Sequence, residues 1–387
     1  MSLSPIIKSY NCHHSHLLNQ YRGVGTPKIH NGDEQQQQQQ HTNTPILFTP
    51  IKVNDIILKN RIIVSPMCLY SCVDGEMNDF HLVHYGSLAK SGCAMIILEA
   101  TAVLPNGRIT YADSGLWKDS QIEPLKRIVH FIHNFGCYTA IQLSHAGVRG
   151  SSEIPFIQEN QQQQLLKDTI KTWDTWNPNT MTLNDIKIVV ESFQQSTRRA
   201  VEAGFDAIEI NAAHGYLLCG FLSRTTNSRT DEYGGEFNNR IRLLLDIIKV
   251  VKIECCGSGN RDTNHNSSNA ATEIPIFVRV SVVKEDIHSM DECIRLCEIL
   301  KREGVRVIDW VSREPERVRA TGILTSTVGN ITNGHQAEQL LEQGKADFIM
   351  VGREHLKNFP LFTYNASKDL NVNINGAIPQ YSSTFRD

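Results

Sequence analysis

The 387-residue chain predicts a single TIM-type (β/α)8 barrel. Three observations predict it. Short apolar runs suited to buried parallel strands recur eight times, separated by segments of helical periodicity. Glycines stop several of those helices: Gly136, Gly204, Gly304 and Gly344 each follow a periodic segment. Polar residues gather just past strand ends, the face of such a barrel that carries chemistry. At 40% hydrophobic residues, the chain can bury a core of this size.

Residues 1–43 are polar, include six consecutive glutamines (35–40), and have no period that could bury a face, so they read as a disordered tail. Barrel text is expected over 44–365 and a C-terminal tail over 366–387. Strands one to eight are expected at 61–66 (RIIVSP), 94–99 (AMIILE), 138–143, 207–210, 276–280 (IFVRV), 307–311, 326–328 and 348–351. Helices are expected at 80–91, 122–135, 185–203, 238–254, 291–302 and 335–342. Two low-complexity insertions interrupt the alternation, 151–182 and 256–273. The second lies between a helix and strand five, on the N-terminal face, where it disturbs no active-site loop. Between strands six and seven only residues 312–324 remain, thirteen in number. A parallel crossover needs about a dozen residues, so the sixth helix should be a stub. An apolar groove between its neighbours should then be left uncovered.

Bulk properties exclude several classes. A net charge of −3 and a pI near 6.6 offer no attraction to nucleic acid or anionic membranes. No apolar run approaches the ~18 residues of a membrane span. Ten cysteines include the pairs Cys68/Cys72 and Cys293/Cys297, neither at zinc spacing. They read as reduced thiols of a cytoplasmic protein with no metal site. There is no GxGxxG and no P-loop sequence.

The stretch 207–216, AIEINAAHGY, is the chemical centre of the sequence. A short apolar strand delivers Asn211, His214 and Tyr216 within six residues, spaced by small Ala212, Ala213 and Gly215. A lone histidine here would suit an ordinary hydrogen-bonded turn. Three polar groups at a strand end, followed by RTDEYGG (229–235), favour a site. Arg279 sits among Phe277, Val278 and Val280, where a guanidinium is costly without a partner. Glu209 or a bound anionic group could supply one. Gly329, in TSTVGNITNG (325–334), with Gly352 and Arg353, in VGRE (351–354), lies in loops after strands seven and eight, the usual phosphate site of a barrel.

EINAAHGYL, FLSRTTNSRTDEYGG, Asn239-Arg240 and SPMCLYS (65–71) together resemble the Old Yellow Enzyme family of FMN-dependent ene-reductases, the last its bacterial-type branch. The resemblance covers about residues 47–362. It implies FMN as cofactor, NADPH or NADH as reductant, ping-pong kinetics, a small-molecule enone or quinone as substrate, and leaves a homo-oligomer open. It implies that Ser65, Pro66, Met67 and Cys68 meet the flavin, the cysteine near N5. Ala100 matches a flavin contact, Gln142 a partner of the pyrimidine edge, and Arg279 a holder of the N1–O2 charge. Tyr70 matches a substrate contact. Asn211 and His214 would hold the carbonyl oxygen of an α,β-unsaturated substrate, and Tyr216 would protonate the α-carbon. The sequence departs from the family at Asn211, where histidine is usual, at Val148-Arg149, where a basic pair is usual, and at the short crossover. These departures keep a second expectation in play, a flavin-binding paralogue with little or no ene-reductase activity. A third, a flavin-free phosphate-binding lyase, would need a strand-end lysine, for which strands four to six offer Lys284 alone.

Overall fold

A computed structural model describes residues 24–27, 44–150, 177–256, 273–281 and 290–375. Its centre is a ring of eight parallel strands: β3 (Ile62–Val64), β4 (Met95–Ala102), β6 (Tyr138–Ser144), β7 (Ala207–Ala212), β8 (Ile276–Val280), β9 (Val307–Trp310), β10 (Leu324–Val328) and β11 (Phe348–Val351). Each pairs with the next, and β11 pairs back to β3, so no edge is left open. The TIM-barrel expectation therefore holds. A two-residue strand β5 (Ser114–Gly115) adds to the C-terminal end of β4. An antiparallel hairpin, β1 (Ile51–Val53) and β2 (Ile56–Leu58), turns at Asn54 in the left-handed region.

Because side chains alternate across a strand, every second residue points into the barrel. The lowest inward layer is apolar. Ile63, Met95, Ala140, Ala207, Phe277, Val307 and Phe348 pack together there, with Val53 and Leu58 of the hairpin in the same cluster. The hairpin thus closes the N-terminal mouth. One pleat higher, toward the C-terminal mouth, the inward residues become polar: Gln142, Glu209, Arg279, Asp309 and Ser326, all buried. Their outward neighbours, such as Ile208, Ile210, Val278, Ile308 and Ile349, pack against the helical shell. The period of two in the sequence thus sets a dry floor beneath a charged layer.

The helical shell comprises α1 (Asp79–Ala89), α2 (Ile122–His133), α3 (Leu183–Ala203), α4 (Leu217–Leu222), α5 (Phe237–Arg240), α6 (Arg242–Cys256), α7 (Met290–Glu303), α8 (Pro315–Arg319), α9 (Gly334–Glu342), α10 (Arg353–Lys357) and α11 (Phe362–Asp369). Helix α3 shows why a long element forms here. Thr182 and Asp185 make a reciprocal capping box, and Gly204 ends the helix at φ +93°. No helix among the described residues is long and apolar enough to cross a membrane.

Several expected boundaries move. Strand one stops at Val64: Ser65 N–H makes the last ladder bond, to Val351 O at 3.0 Å, and Pro66 has no N–H to continue it. The helix expected over 238–254 divides at Ile241 into α5 and α6. The tail expectation does not fit residues 24–27: Val24 is buried, Pro27 bridges Ile374, and Gly25 N–H donates to Asn375 O at 2.9 Å. Helix α11 likewise runs across the expected boundary at 365, with Ala366 fully buried. The rest of the expected N-terminal tail, residues 151–176, residues 257–272 and residues 376–387 lie outside the described residues. The described end of the first insertion is ordered by Arg229, whose Nη1 donates to Pro178 O and Met181 O at 2.5 and 2.6 Å.

The short crossover closes as expected, with α8 as its five-residue stub. The uncovered groove does not form. Val318 of the stub is fully buried, and Leu296 and Leu300 of α7 and Leu341 of α9 are buried as well. The stub is tied on both sides. Arg317 reaches Asp291 at 3.1 Å, and Arg319 reaches Asp347 at 3.0 Å. Glu314, in the left-handed region, starts the stub, with Pro315 as its first residue.

Candidate active site

The charged layer is cross-linked by strand register. Arg279 faces Asp309 across the β8–β9 pair, and its Nε lies 3.2 Å from Asp309 Oδ2. Ser326 on β10 donates to Asp309 Oδ1 at 2.8 Å. Both terminal nitrogens of Arg279 lie 3.3 Å from Ser65 Oγ, at the exit of β3. Arg279 therefore takes Asp309 as its ion partner, not Glu209. Glu209 instead accepts from Gln142 Nε2 at 2.7 Å, and Gln142 Oε1 accepts from Asn211 Nδ2 at 3.0 Å. Burial, with the charge of Asp309 behind it, pushes the Glu209 carboxyl well above the usual carboxylate range. Among the described residues its Oε2 has no hydrogen-bond partner.

Above this layer the strand-end residues converge. His214 stands in the left-handed region, held by its N–H donating to Ser281 Oγ at 2.8 Å. Its ring lies 6.0 Å from that of Tyr216. Desolvation, then Arg279 and Arg149, push His214 down to about 4, so it is neutral at physiological pH. Burial raises the Tyr216 phenol above its ordinary value, with the charges of Cys68 and Asp113 adding to it and Arg149 and Arg279 opposing. Tyr70, also in the left-handed region, hydrogen-bonds Cys68 and shares the field of Tyr216. Burial pushes the Cys68 thiol up, while the Ala100 N–H opposes that shift. Cys68, Tyr70, His214 and Tyr216 thus stand near one another above the charged layer. Asn211 is nearly fully buried and directs its amide at Gln142 and, at 3.4 Å, Ser144 Oγ.

The Cys68–Tyr70 loop is anchored by a residue the sequence did not single out. Glu99 sits at an irregularity in β4, between Leu98 and Ala100. Its carboxylate accepts from Leu69 N at 2.9 Å and Tyr85 Oη at 3.2 Å. Burial raises Glu99 to about 8. The folded state therefore holds a proton that the unfolded chain releases near its ordinary ~4.3. This contribution to stability is full at low pH and is lost as pH rises through about 8. We expect Glu99→Gln to flatten the fall in urea-unfolding free energy between pH 6 and 9. An unchanged slope would show that Glu99 does not titrate there.

Asp113 is a second missed acid. It accepts from Ile109 N at 2.6 Å and from Thr110 N at 3.1 Å, and burial lifts it to about 6. The RTDEYGG segment, in contrast, is scaffolding. Arg229 pairs with Asp231, and a Cβ on Gly234 would stand 2.2 Å from Arg229 O. Arg240 fixes the same loop through Leu222 O at 3.1 Å and Gly235 O at 2.6 Å.

At the far side of the mouth, Gly329 ends β10 at φ +117° with open space where a Cβ would point. Gly352 ends β11, where a Cβ would stand 3.4 Å from Met67 Sδ. Arg353 is exposed and donates to Asn330 Oδ1 at 3.0 Å. Open backbone and a cation at strands seven and eight suit a phosphate end. The charged layer, with Glu209 Oε2 unsatisfied and Arg279 beside Ser65, suits the polar edge of a flavin ring. The residues fit FMN.

Fold and site together define an FMN-dependent oxidoreductase on a (β/α)8 barrel. Residues 46–373 match the family described as NADH:flavin oxidoreductase / NADH oxidase. A NADPH dehydrogenase of Listeria monocytogenes serotype 4a (strain HCC23) is 39% identical over 370 residues, spanning 88% of this chain and 99% of its own. Among solved structures, morphinone reductase in complex with tetrahydroNAD gives a TM-score of 0.69 at 24% identity, covering 86% of this chain and 93% of its own. The Old Yellow Enzyme of Pichia sp. AKU4542 gives 0.66 at 23%, covering 80% and 83%. The last two show the fold. The chain belongs to the NADH:flavin oxidoreductase / NADH oxidase family, that of the Old Yellow Enzymes, and its reductant is NADH or NADPH.

Proposed function

We propose that the protein is an NADPH-dependent ene-reductase that acts on α,β-unsaturated carbonyl compounds in the cytoplasm. The observation that carries this reading is the convergence of His214, Tyr216, Tyr70 and Cys68 above the Arg279–Asp309 layer. FMN, when bound and reduced by NADPH, would supply the hydride. Ser65, Pro66, Met67, Cys68, Ala100, Gln142 and Arg279 hold its ring, and Gly329, Gly352 and Arg353 its phosphate. The NADPH preference follows the name of the Listeria relative.

The substrate carbonyl is held at the His214 ring. A neutral imidazole donates a hydrogen bond without carrying charge into the pocket, and that bond strengthens as negative charge grows on the oxygen. Asn211 supports it from below. With its amide engaged by Gln142 and Ser144, it orders the layer under the substrate and turns upward only by exchanging a partner. Tyr216 delivers the proton. Removing one donor to a developing oxyanion costs about 10²–10³ in rate. His214→Ala is therefore expected to weaken phenol binding and slow enone turnover by about that factor. Wild-type phenol affinity in the variant would remove His214 from the site. The engaged Asn211 amide also favours the second reading, a flavin-binding paralogue with weak ene-reductase activity. Flavin reduction by NADPH with no enone turnover in the wild-type protein would select it.

A further inference from the structure

At the opposite end of the barrel a second group of reactive side chains stands apart from the active site. Cys93 and Cys137 are 0% and 2% exposed, and their sulfurs lie 3.7 Å apart. They come just before β4 and β6, neighbouring strands in the register Met95↔Tyr138. That register sets Cys137 level with Ala94, one residue from Cys93; a strand spacing of about 4.8 Å with a rise of about 3.3 Å puts the two α-carbons about 6 Å apart, within the span of a disulfide. To bond, the two sulfurs must close from 3.7 Å to about 2.05 Å. Lys59 donates to Phe135 O at 3.1 Å, and its charge acts on both thiols.

We propose that Cys93 and Cys137 are a thiol modification site, closing to a reversible disulfide when the protein meets a small peroxide. Cys93 is the attacking sulfur. Hydrogen bonding from Cys137 and the Lys59 ammonium favour its thiolate, whereas burial, Cys93 and Asp206 hold the Cys137 proton in place. The Cys93 thiolate attacks one peroxide oxygen. An S–O bond forms, the O–O bond breaks, and the departing hydroxide takes a proton to become water. Cys137 then attacks the Cys93 sulfenic sulfur. The S–S bond forms, the S–O bond breaks, and the second hydroxide leaves with the Cys137 proton as water. Two thiols lose two electrons in all, and one peroxide gains them.

The surroundings select a small oxidant. Asn60 Nδ2 donates to Gly92 O at 2.9 Å and to Gly25 O at 3.2 Å. This holds residues 24–27 against Gly92, the residue before Cys93. With both thiols this deeply buried, the oxidant assigned is a molecule the size of hydrogen peroxide and not a glutathione-sized disulfide. Closing the loop from 93 to 137 restricts the unfolded chain and leaves the catalytic mouth untouched.

The test uses the purified full-length holoprotein and hydrogen peroxide. After exposure, free thiols are alkylated and the protein is digested and analysed by mass spectrometry. The expected result is a peptide pair linking Cys93 to Cys137, two hydrogens lighter than the dithiol and released by dithiothreitol. The thermal midpoint should rise on oxidation and fall back on reduction. In Cys137→Ser, unfolding the peroxide-treated protein in dimedone should trap a sulfenic acid on Cys93. Lys59→Met should slow linkage about tenfold by lowering the thiolate fraction. Cys93 and Cys137 both recovered alkylated while other cysteines are oxidised would overturn the site. Linkage of either sulfur to a different cysteine would overturn it too. Linkage at the wild-type rate in Lys59→Met would overturn the role given to the lysine.

Discussion

Arg279→Met should destabilise the apoprotein by about 3–5 kcal/mol, the cost of leaving one member of a buried ion pair without its partner. Asp309 is fully buried, and what remains to it after the change is the Ser326 hydroxyl. Methionine fills much of the arginine's volume, so the loss is electrostatic rather than a cavity effect. Adding Asp309→Leu to Arg279→Met should recover most of the stability, since it removes the stranded charge. It should not recover FMN binding, because the cation beside Ser65 stays absent. Urea unfolding and flavin absorbance, measured on the same three proteins, separate the two effects. A loss below about 1 kcal/mol, the range of exposed pairs, would mean that Asp309 finds water or another partner and the layer is wetter than drawn. Flavin retained at wild-type occupancy in Arg279→Met would remove Arg279 from the cofactor site.

The same arginine shows how far the sequence carries. A guanidinium in IFVRV announces a partner, and alternation places it inside the barrel. The partner itself could not be read. Glu209 and Asp309 both lie on strands next to β8 and both point inward, and only the register puts Asp309 level with Arg279. Asp309 carried the same signal, a carboxylate inside the apolar run VIDW. Positions set by local spacing, such as Asn211, His214 and Tyr216 at one strand end, were legible. Glu99 and Asp113 were not, because their partners come from backbone groups of loops whose shape no period encodes. The uncovered groove was expected from chain length alone. Length could not reveal that Val318 packs inward and that Arg317 and Arg319 tie the stub to its neighbours.

Tyr216→Phe should slow enone reduction by about 10²–10⁴ and leave the rest of the protein nearly unchanged, as expected for a lost general acid. The residue follows His214 by two positions, and its N–H donates to Ala213 O at 3.2 Å, so the turn fixes the ring against the mouth. Burial raises the phenol above its ordinary value, so it stays protonated at neutral pH, as a proton donor requires. Arg149 and Arg279 favour the phenolate left behind. An enolate carbon is a stronger base than phenolate, so the transfer still runs downhill. Phenylalanine preserves the ring and its packing, so flavin content, thermal midpoint and flavin reduction by NADPH should stay near wild type. Substrates whose reduced product needs no proton on carbon, such as quinones, should be spared. Stopped-flow traces with cyclohexenone and with a quinone decide the matter. Equal slowing with both substrates would make Tyr216 a packing residue, and no slowing with cyclohexenone would assign the proton to another donor.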